Sequence, residues 1–357
     1  MIGKELRYFA GSNTGRGFVH YFESNFQGLD QLFILKGGPG TGKSTLMKKI
    51  GRFFADGGQD VEWIHCSSDP DSVDAVLIPG LKAGIVDGTA PHIIEPAFPG
   101  AVEEYVNMGI AWDRRKLKSR KREIIALNRD IQKTYESAFS SLAEALRELE
   151  GMDSGIPPSA DGGTIDSLAD DWIRRLIPGT IREEKGMVKH RFLHAITPDG
   201  VLDYFPDLTD NFLQRIFLKG GRKPAVTALL EKIAHASSEA GYHVEIYHSG
   251  LNPLYLDMIA VRELGWAIIS SSPPFAYPFN MKTDEVVEME NRSLTEKQIG
   301  EFRSHLTRCQ SFLKEGIQTL DRARKLRMEL EKIYVDAVHF SRVDPITEQL
   351  IREIDEK

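Results

Sequence analysis

Cysteine is nearly absent. The chain has two in 357 residues, Cys66 and Cys309, so no disulfide framework is implied and a reducing compartment is expected. Long apolar runs are missing as well. The nearest approach, residues 75–86, is interrupted by Pro79, Gly80 and Lys82 and falls short of the ~20 residues that span a bilayer. The opening stretch MIGKELRYFAGSNTGRGFVHYF lacks the unbroken apolar core of a signal peptide. The expectation is a cytoplasmic protein with no membrane partner. Positive charge is not in excess: the net charge of −7 argues against a surface that tracks nucleic acid or anionic lipid throughout. The most basic run, residues 114–122, lacks the interleaved aromatics that stack single-stranded bases. Nucleic acid is therefore the weakest partner class.

What is present is an internal repeat. Hydrophobic residues make up 41% of the chain, enough for the cores of two ordinary domains. A shift of 183 positions lays Lys36-Gly37-Gly38 on Lys219-Gly220-Gly221 without a gap. Leu46, Lys49 and Ile50 then fall on Leu229, Lys232 and Ile233, and Gly58, Val61, Glu62 and His65 on Gly241, Val244, Glu245 and His248. One register held through a loop, a helix and a strand reads as a duplicated domain rather than a solenoid array. The expected fold is α/β: two three-layer domains of mostly parallel sheet flanked by helices, each with a helix-rich extension. The boundaries are residues 1–112 for the first domain, 113–185 for its extension and linker, 186–290 for the repeat and 291–357 for the second extension. Residues 151–163, rich in Gly, Pro and Ser, read as a loop or linker. The helix expected over residues 165–176 is grouped with the first half.

The chemistry-bearing motif lies in the first half. Leu32-Phe33-Ile34-Leu35 is a short apolar run of buried-strand type. It leads into Gly37-Gly38-Pro39-Gly40-Thr41-Gly42-Lys43-Ser44, a complete G-x-x-x-x-G-K-S, and then into a helical pattern from Thr45. A strand before and a helix after is the setting in which such a loop cradles phosphates. Its glycines let backbone N–H groups turn inward, and the helix N-terminus adds unpaired donors and partial positive charge. Gly38, Pro39, Gly40, Thr41, Gly42, Lys43, Ser44 and Thr45 are the expected nucleotide-binding residues. Lys43 reaches the β- and γ-phosphates, and the Ser44 hydroxyl is a ligand for Mg²⁺. Asp87, closing the apolar run Ala83-Gly84-Ile85-Val86, is the expected second magnesium ligand and, with Lys43, the expected catalytic pair.

The second half has lost these residues together. Gly42, Lys43 and Asp87 become Ala225, Val226 and Ser270, while Ser44 becomes Thr227. The stretch KGGRKPAVTALLEKI is a phosphate loop without its lysine, so one working nucleotide site is expected. Lys219, Arg222 and Lys223 still cluster there, with Pro224 suited to a first helical turn. They form a solvated basic loop or an anion site, or Arg222 reaches the intact site as a charge-stabilising finger.

The motif in its setting resembles the P-loop NTPase superfamily. More narrowly, FILKGGPGTGKSTLMKKI, HCSSDPDSVDAV and GIVDGTAPH in the first half, and EIYHSGLNPLYLDM in the second, resemble a bacterial family of tandem P-loop ATPase-like proteins, some described as nucleotide kinases. The resemblance covers nearly the whole chain, with the phosphate loop its most specific part. It implies ATP, or GTP, with Mg²⁺ on a parallel sheet flanked by helices, and it implies no substrate. The departure from it lies between Arg222 and Val226.

Other residues are weaker candidates. Asp69 or Asp71, in the turn after the strand expected at residues 61–64, can orient a water or an acceptor hydroxyl, or simply belong to turn chemistry, with Asp71 capping the next helix. Thr89 and His92 follow Asp87 and are placed to sense phosphate or substrate, with Glu95 a further candidate for positioning water. Arg114 and Arg115 open the basic run, either as a lid over the phosphates or as a solvated helix face. The leading expectation is a Mg²⁺-dependent, ATP-binding and ATP-hydrolysing protein. The alternatives are a kinase acting on a small-molecule acceptor, and a nucleotide-gated protein that binds a partner with little turnover.

Overall fold

The structure, a computed structural model, describes residues 3–90, 93–155, 162–180, 182–289 and 294–356. The first half opens with β1 (Glu5–Phe9), the hairpin β2 (Gly11–Thr14) and β3 (Gly17–His20), and the short α1 (Phe22–Asn25). Next come β4 (Gln31–Lys36), α2 (Lys43–Asp56), β5 (Val61–His65), β6 (Val73–Ile78), β7 (Ala83–Asp87) and β8 (Glu103–Asn107). Its extension is α3 (Arg114–Ser119), α4 (Lys121–Gly155) and α5 (Gly162–Leu176). The second half follows the same order: β9 (Val188–Phe192), β10 (His194–Thr197), β11 (Gly200–Asp203), α6 (Phe205–Thr209), β12 (Gln214–Lys219), α7 (Lys223–Glu239), β13 (Val244–His248), β14 (Leu256–Val261), β15 (Trp266–Ser271) and β16 (Glu285–Glu288). It ends in α8 (Glu296–Val335) and α9 (Asp344–Asp355). The strands β1 to β6 recur as β9 to β14 at the offset of the sequence repeat, each with its length unchanged.

Strands of both halves join one 12-stranded sheet in the order β16-β12-β15-β14-β13-β9-β1-β5-β6-β7-β4-β8. Within each half a single strand, β6 or β14, runs against the other five. The sheet is thus mixed but mostly parallel, with helices packed on it. The halves meet antiparallel where Phe9 pairs with its own repeat counterpart Phe192. Burial on both faces explains the unbroken apolar run of β4. Leu32 and Ile34 point into a cluster that continues through both halves, and Phe33 and Leu35 into a separate one under α2, the period of two that a strand imposes. At the seam Arg191 is fully buried. It pairs with Glu62 of one half and Glu245 of the other, each at 2.9 Å, and lies 3.8 Å from the ring centre of Tyr8.

The extensions are exchanged between the halves. α5, grouped with the first half by sequence, buries Ile165, Ala169, Trp172 and Leu176 against Val226, Leu229 and Ile233 of α7. α9 in turn buries Leu350 and Ile354 against Leu46, Met47 and Ile50 of α2. α4 and α8 cross the molecule as an antiparallel pair: Arg120 meets Asp336 at 3.8 Å, and Glu148 meets His305 and Arg308 at 2.6 and 2.9 Å. Residues 151–155, read as the start of a linker, instead complete α4. Met152 is buried in the cluster between α4 and α8 and Asp153 is bonded to the second half, so packing overrides the local Gly content. The rest of that stretch up to α5, residues 156–161, lies outside the described residues.

Candidate functional site

The loop between β4 and α2 is built by its glycines. Gly40 and Gly42 take φ of 65° and 85°, a left-handed backbone that costs other residues free energy. These turns delay the start of α2 until Lys43. The Lys43 side chain folds back into the loop, where Nζ donates to the carbonyls of Gly37 at 2.9 Å and Gly38 at 2.8 Å. Its ammonium lies 3.5 Å from the Asp87 carboxylate. Burial lowers the Lys43 pKa from the ordinary lysine value, and Asp87 acts against that fall. Asp87 ends β7, the parallel neighbour of β4, opposite Leu35. Its Oδ1 accepts from the backbone N–H of Thr89 at 2.9 Å and from the Thr89 hydroxyl at 2.5 Å. Ser44 Oγ and the Asp87 carboxylate are oxygen donors of the kind a hard cation uses.

The outer side of the loop is covered by the other half's extension. A Cβ on Gly38 would stand 2.8 Å from the Tyr334 ring, and one on Gly40 would stand 3.0 Å from the Glu331 carbonyl. Beside them opens a cavity of about 860 Å³, floored by Gly37, Gly38, Pro39 and Lys43. Its far wall is helical, with Asn128, Arg129, Gln132 and Tyr135 from α4 and Arg327 from α8. Arg327 Nε lies 3.6 Å from Glu331. Burial raises the Glu331 carboxyl; Arg327 opposes this, Asp69 reinforces it and Lys43 opposes it. Asn13 lines the same cavity with a buried Oδ1 that has no hydrogen-bond partner.

The second loop has a different geometry. Lys223, Pro224 and Ala225 stand where Gly40, Thr41 and Gly42 stand in the first half. With no glycine there to hold a left-handed turn, α7 begins at Lys223, three residues earlier in the repeat register than α2. The turn that the glycines make in the first loop is replaced here by the first turn of a helix. Asp153 of α4 occupies that helix start: its Oδ1 accepts from Lys223 N at 2.9 Å, and its carbonyl accepts from Arg222 Nε at 2.9 Å. The Lys223 ammonium points inward, 2.7 Å from Asp257 and 3.0 Å from Ser270 Oγ. Val226, at the register position of Lys43, is wholly buried. Lys219 pairs with Glu288 at 2.8 Å. The retained hydroxyl has a structural use. Thr227 Oγ1 accepts from Leu256 N as Ser44 Oγ accepts from Val73 N, both at 3.1 Å, tying helix to strand in each half.

The structure brings Lys43, Asp87 and Thr89 together at the ends of β4 and β7, whereas Ser44 Oγ is bonded to Val73 N. Of the expected nucleotide and metal residues Gly38, Pro39 and Lys43 line the cavity, and Ser44 and Asp87 do not. Asp69 stays in its turn, where Oδ2 accepts from Ser72 Oγ at 2.6 Å, yet its charge is felt by Glu331. Glu95 is exposed and held on the sheet edge by Lys36 at 3.5 Å and by the Tyr105 hydroxyl. Arg114 and Arg115 are exposed on α3, and Arg222 is spent on Asp153. None of Glu95, Arg114, Arg115 and Arg222 lines the cavity of Lys43. His92 lies outside the described residues. Arg129, Arg327 and Glu331 had no local signal. They lie in helical stretches that read as ordinary amphipathic pattern, and only the return of α8 over the first half places Arg327 and Glu331 at the loop. Comparison of the chain with protein-family models, with curated proteins and with solved structures finds no match.

Proposed function

We propose that the chain is a Mg²⁺-dependent nucleoside triphosphatase, with ATP the reference substrate, and that it works at the β4–α2 loop alone. In this reading the halves are a duplicated P-loop fold whose second copy has lost its phosphate site. One observation carries the proposal: Lys43 is buried within a glycine-turned loop, 3.5 Å from Asp87, on the floor of a cavity large enough for a nucleotide. The donor set fits magnesium. A hydroxyl and one carboxylate are what Mg²⁺ takes from protein when phosphate and water fill its other positions. Among the described residues no group of three or more His, Cys, Asp or Glu could hold an ion. Bound Mg²⁺ would supply neutralisation of phosphate charge.

The chain's own residues divide the remaining work. Lys43 exchanges the Gly37 and Gly38 carbonyls for phosphate oxygens, and the loop amides and the α2 N-terminus point donors at the same group. Thr89 fixes the rotamer of Asp87 through two hydrogen bonds to one oxygen. Arg129 and Arg327 face the loop across the cavity and place positive charge where negative charge builds on the transferring phosphoryl group.

The test is phosphate release from MgATP by the purified chain, with Lys43→Ala in parallel. Steady release that the variant loses is the expected result. No release by a wild type that still binds MgATP would redirect the reading to an acceptor kinase or a nucleotide-gated contact. If neither protein binds nucleotide, the reading of the first half is wrong.

A further inference from the structure

A second cavity, of about 780 Å³, lies on the second half. In the repeat register its lining meets that of the first cavity at one strand position, where Val201 takes the place of Phe18. α8 contributes Gln310, Leu313, Lys314 and Ile317 at the spacing at which α4 contributes Asn128, Ile131, Gln132 and Tyr135 to the first. An amide followed by a branched aliphatic residue one turn later is thus common to both walls.

The two cavities differ at the phosphate end. The first is floored by the glycine loop and Lys43, whereas no residue of the second loop lines the other. There the helix start is held by Asp153 and the Lys223 ammonium by Asp257. The charged residues of the second lining, Lys314 and Asp203, are of opposite sign, so the cavity offers no net attraction for a polyanion. Its inner wall is aromatic. Phe275 and His194 have ring centres 4.1 Å apart, and Phe205 stacks on Tyr277 at 4.6 Å. His194 is neutral by its hydrogen bonding, since Nε2 accepts from Gly250 N at 3.0 Å while Nδ1 meets the Tyr277 hydroxyl at 2.8 Å.

We propose that this second cavity binds an uncharged nucleoside, the planar heterocycle lying on the aromatic wall and the amides of Gln310 and Gln318 meeting its polar edge. The proposal rests on reading the first cavity as a nucleotide site. A small-molecule site is typically ~300–1,000 Å³ with a mainly apolar lining and a few placed polar groups, and the second cavity fits that description. The duplicated chain would then hold a triphosphate in one half and a nucleoside in the other, with α8 lining both cavities.

The test is calorimetric titration of adenosine, and separately of guanosine, into chain saturated with the magnesium complex of a non-hydrolysable ATP analogue. The expected result is one nucleoside bound per chain in addition to the analogue. Ile317→Trp, which fills the cavity, should weaken nucleoside binding at least about tenfold, or about 1.4 kcal/mol. Gln310→Ala, on an exposed position unable to disturb the core, should weaken it in the same sense. Both variants should bind the analogue as the wild type does, which also reports that they fold. If the analogue binds and neither nucleoside does, or if nucleoside and analogue displace each other, the second site is refuted while the triphosphatase reading stands. If the analogue itself fails to bind, that reading falls, and nucleoside binding sensitive to Ile317→Trp would still report on the second cavity separately.

Discussion

At the scale of single residues, the two loops differ by what surrounds one position. Lys43 sits among carbonyl oxygens with a carboxylate in reach, and Val226 sits in a dry cluster with Leu229 and Ile233. Restoring a lysine at residue 226 would therefore bury an unpaired charge rather than rebuild a site. Arg327 makes a sharper case, because it reaches the first loop from the far end of the sequence. Arg327→Ala is expected to leave MgATP affinity within a few-fold and to lower kcat by ~10³ or more, the range of charge-stabilising arginines in phosphoryl transfer. Steady-state phosphate release with a parallel binding titration checks this; loss of binding with unchanged kcat would assign Arg327 to ground-state binding instead. The proximity of Lys43 and Asp87 was legible in the sequence because it is set locally, by a glycine-rich turn after one strand and an acid at the end of its parallel neighbour. Arg129, Arg327 and Glu331 were not legible, since their roles depend on where two long helices cross.

The elements follow the repeat more faithfully than the site does. Strand for strand the halves agree, and the strand at residues 32–35, the helix after it and the strand ending at Asp87 all lie where hydrophobic patterning put them. The antiparallel β6 and β14 carry no such signature, because strands buried on both faces read alike in either direction. Pattern also gives helices α4 and α8 but not their partnership. They cross closely at Gly316, where a Cβ would stand 2.6 Å from Leu142 Cδ2. Gly316→Leu is expected to push the pair apart and to destabilise the fold by about 1–3 kcal/mol, the usual cost of overpacking. Gly300, in the same helix, has nothing within 4 Å of its would-be Cβ, so Gly300→Ala should stabilise by about 0.5–1 kcal/mol. Denaturant unfolding of the two variants checks both signs. Equal effects would mean that the crossing is loose.

For the whole molecule the decisive features are the single sheet and the exchange of extensions, neither of which a repeat pattern can reveal. The sheet carries buried groups whose charge state must match the fold. Burial holds His194 down to about 4; it holds His248 to about 4 as well, with help from the neighbouring His190. Both are neutral when folded and take up protons near 6.5 when unfolded, so the unfolded chain binds more protons between those values. Their contribution to stability is complete above pH 6.5 and is lost as the pH falls towards 4. A melting temperature that declines across that window is the expected result, and a flat profile would mean that these imidazoles protonate without cost in the folded chain. Exchange of the extensions also makes the first loop a composite of both halves, while the second loop is closed by Asp153 from the first. The most direct measurement is the stoichiometry of MgATP binding by equilibrium dialysis. One nucleotide per chain, and none in Lys43→Ala, is the expected result; two per chain, or one that survives loss of Lys43, would contradict the account.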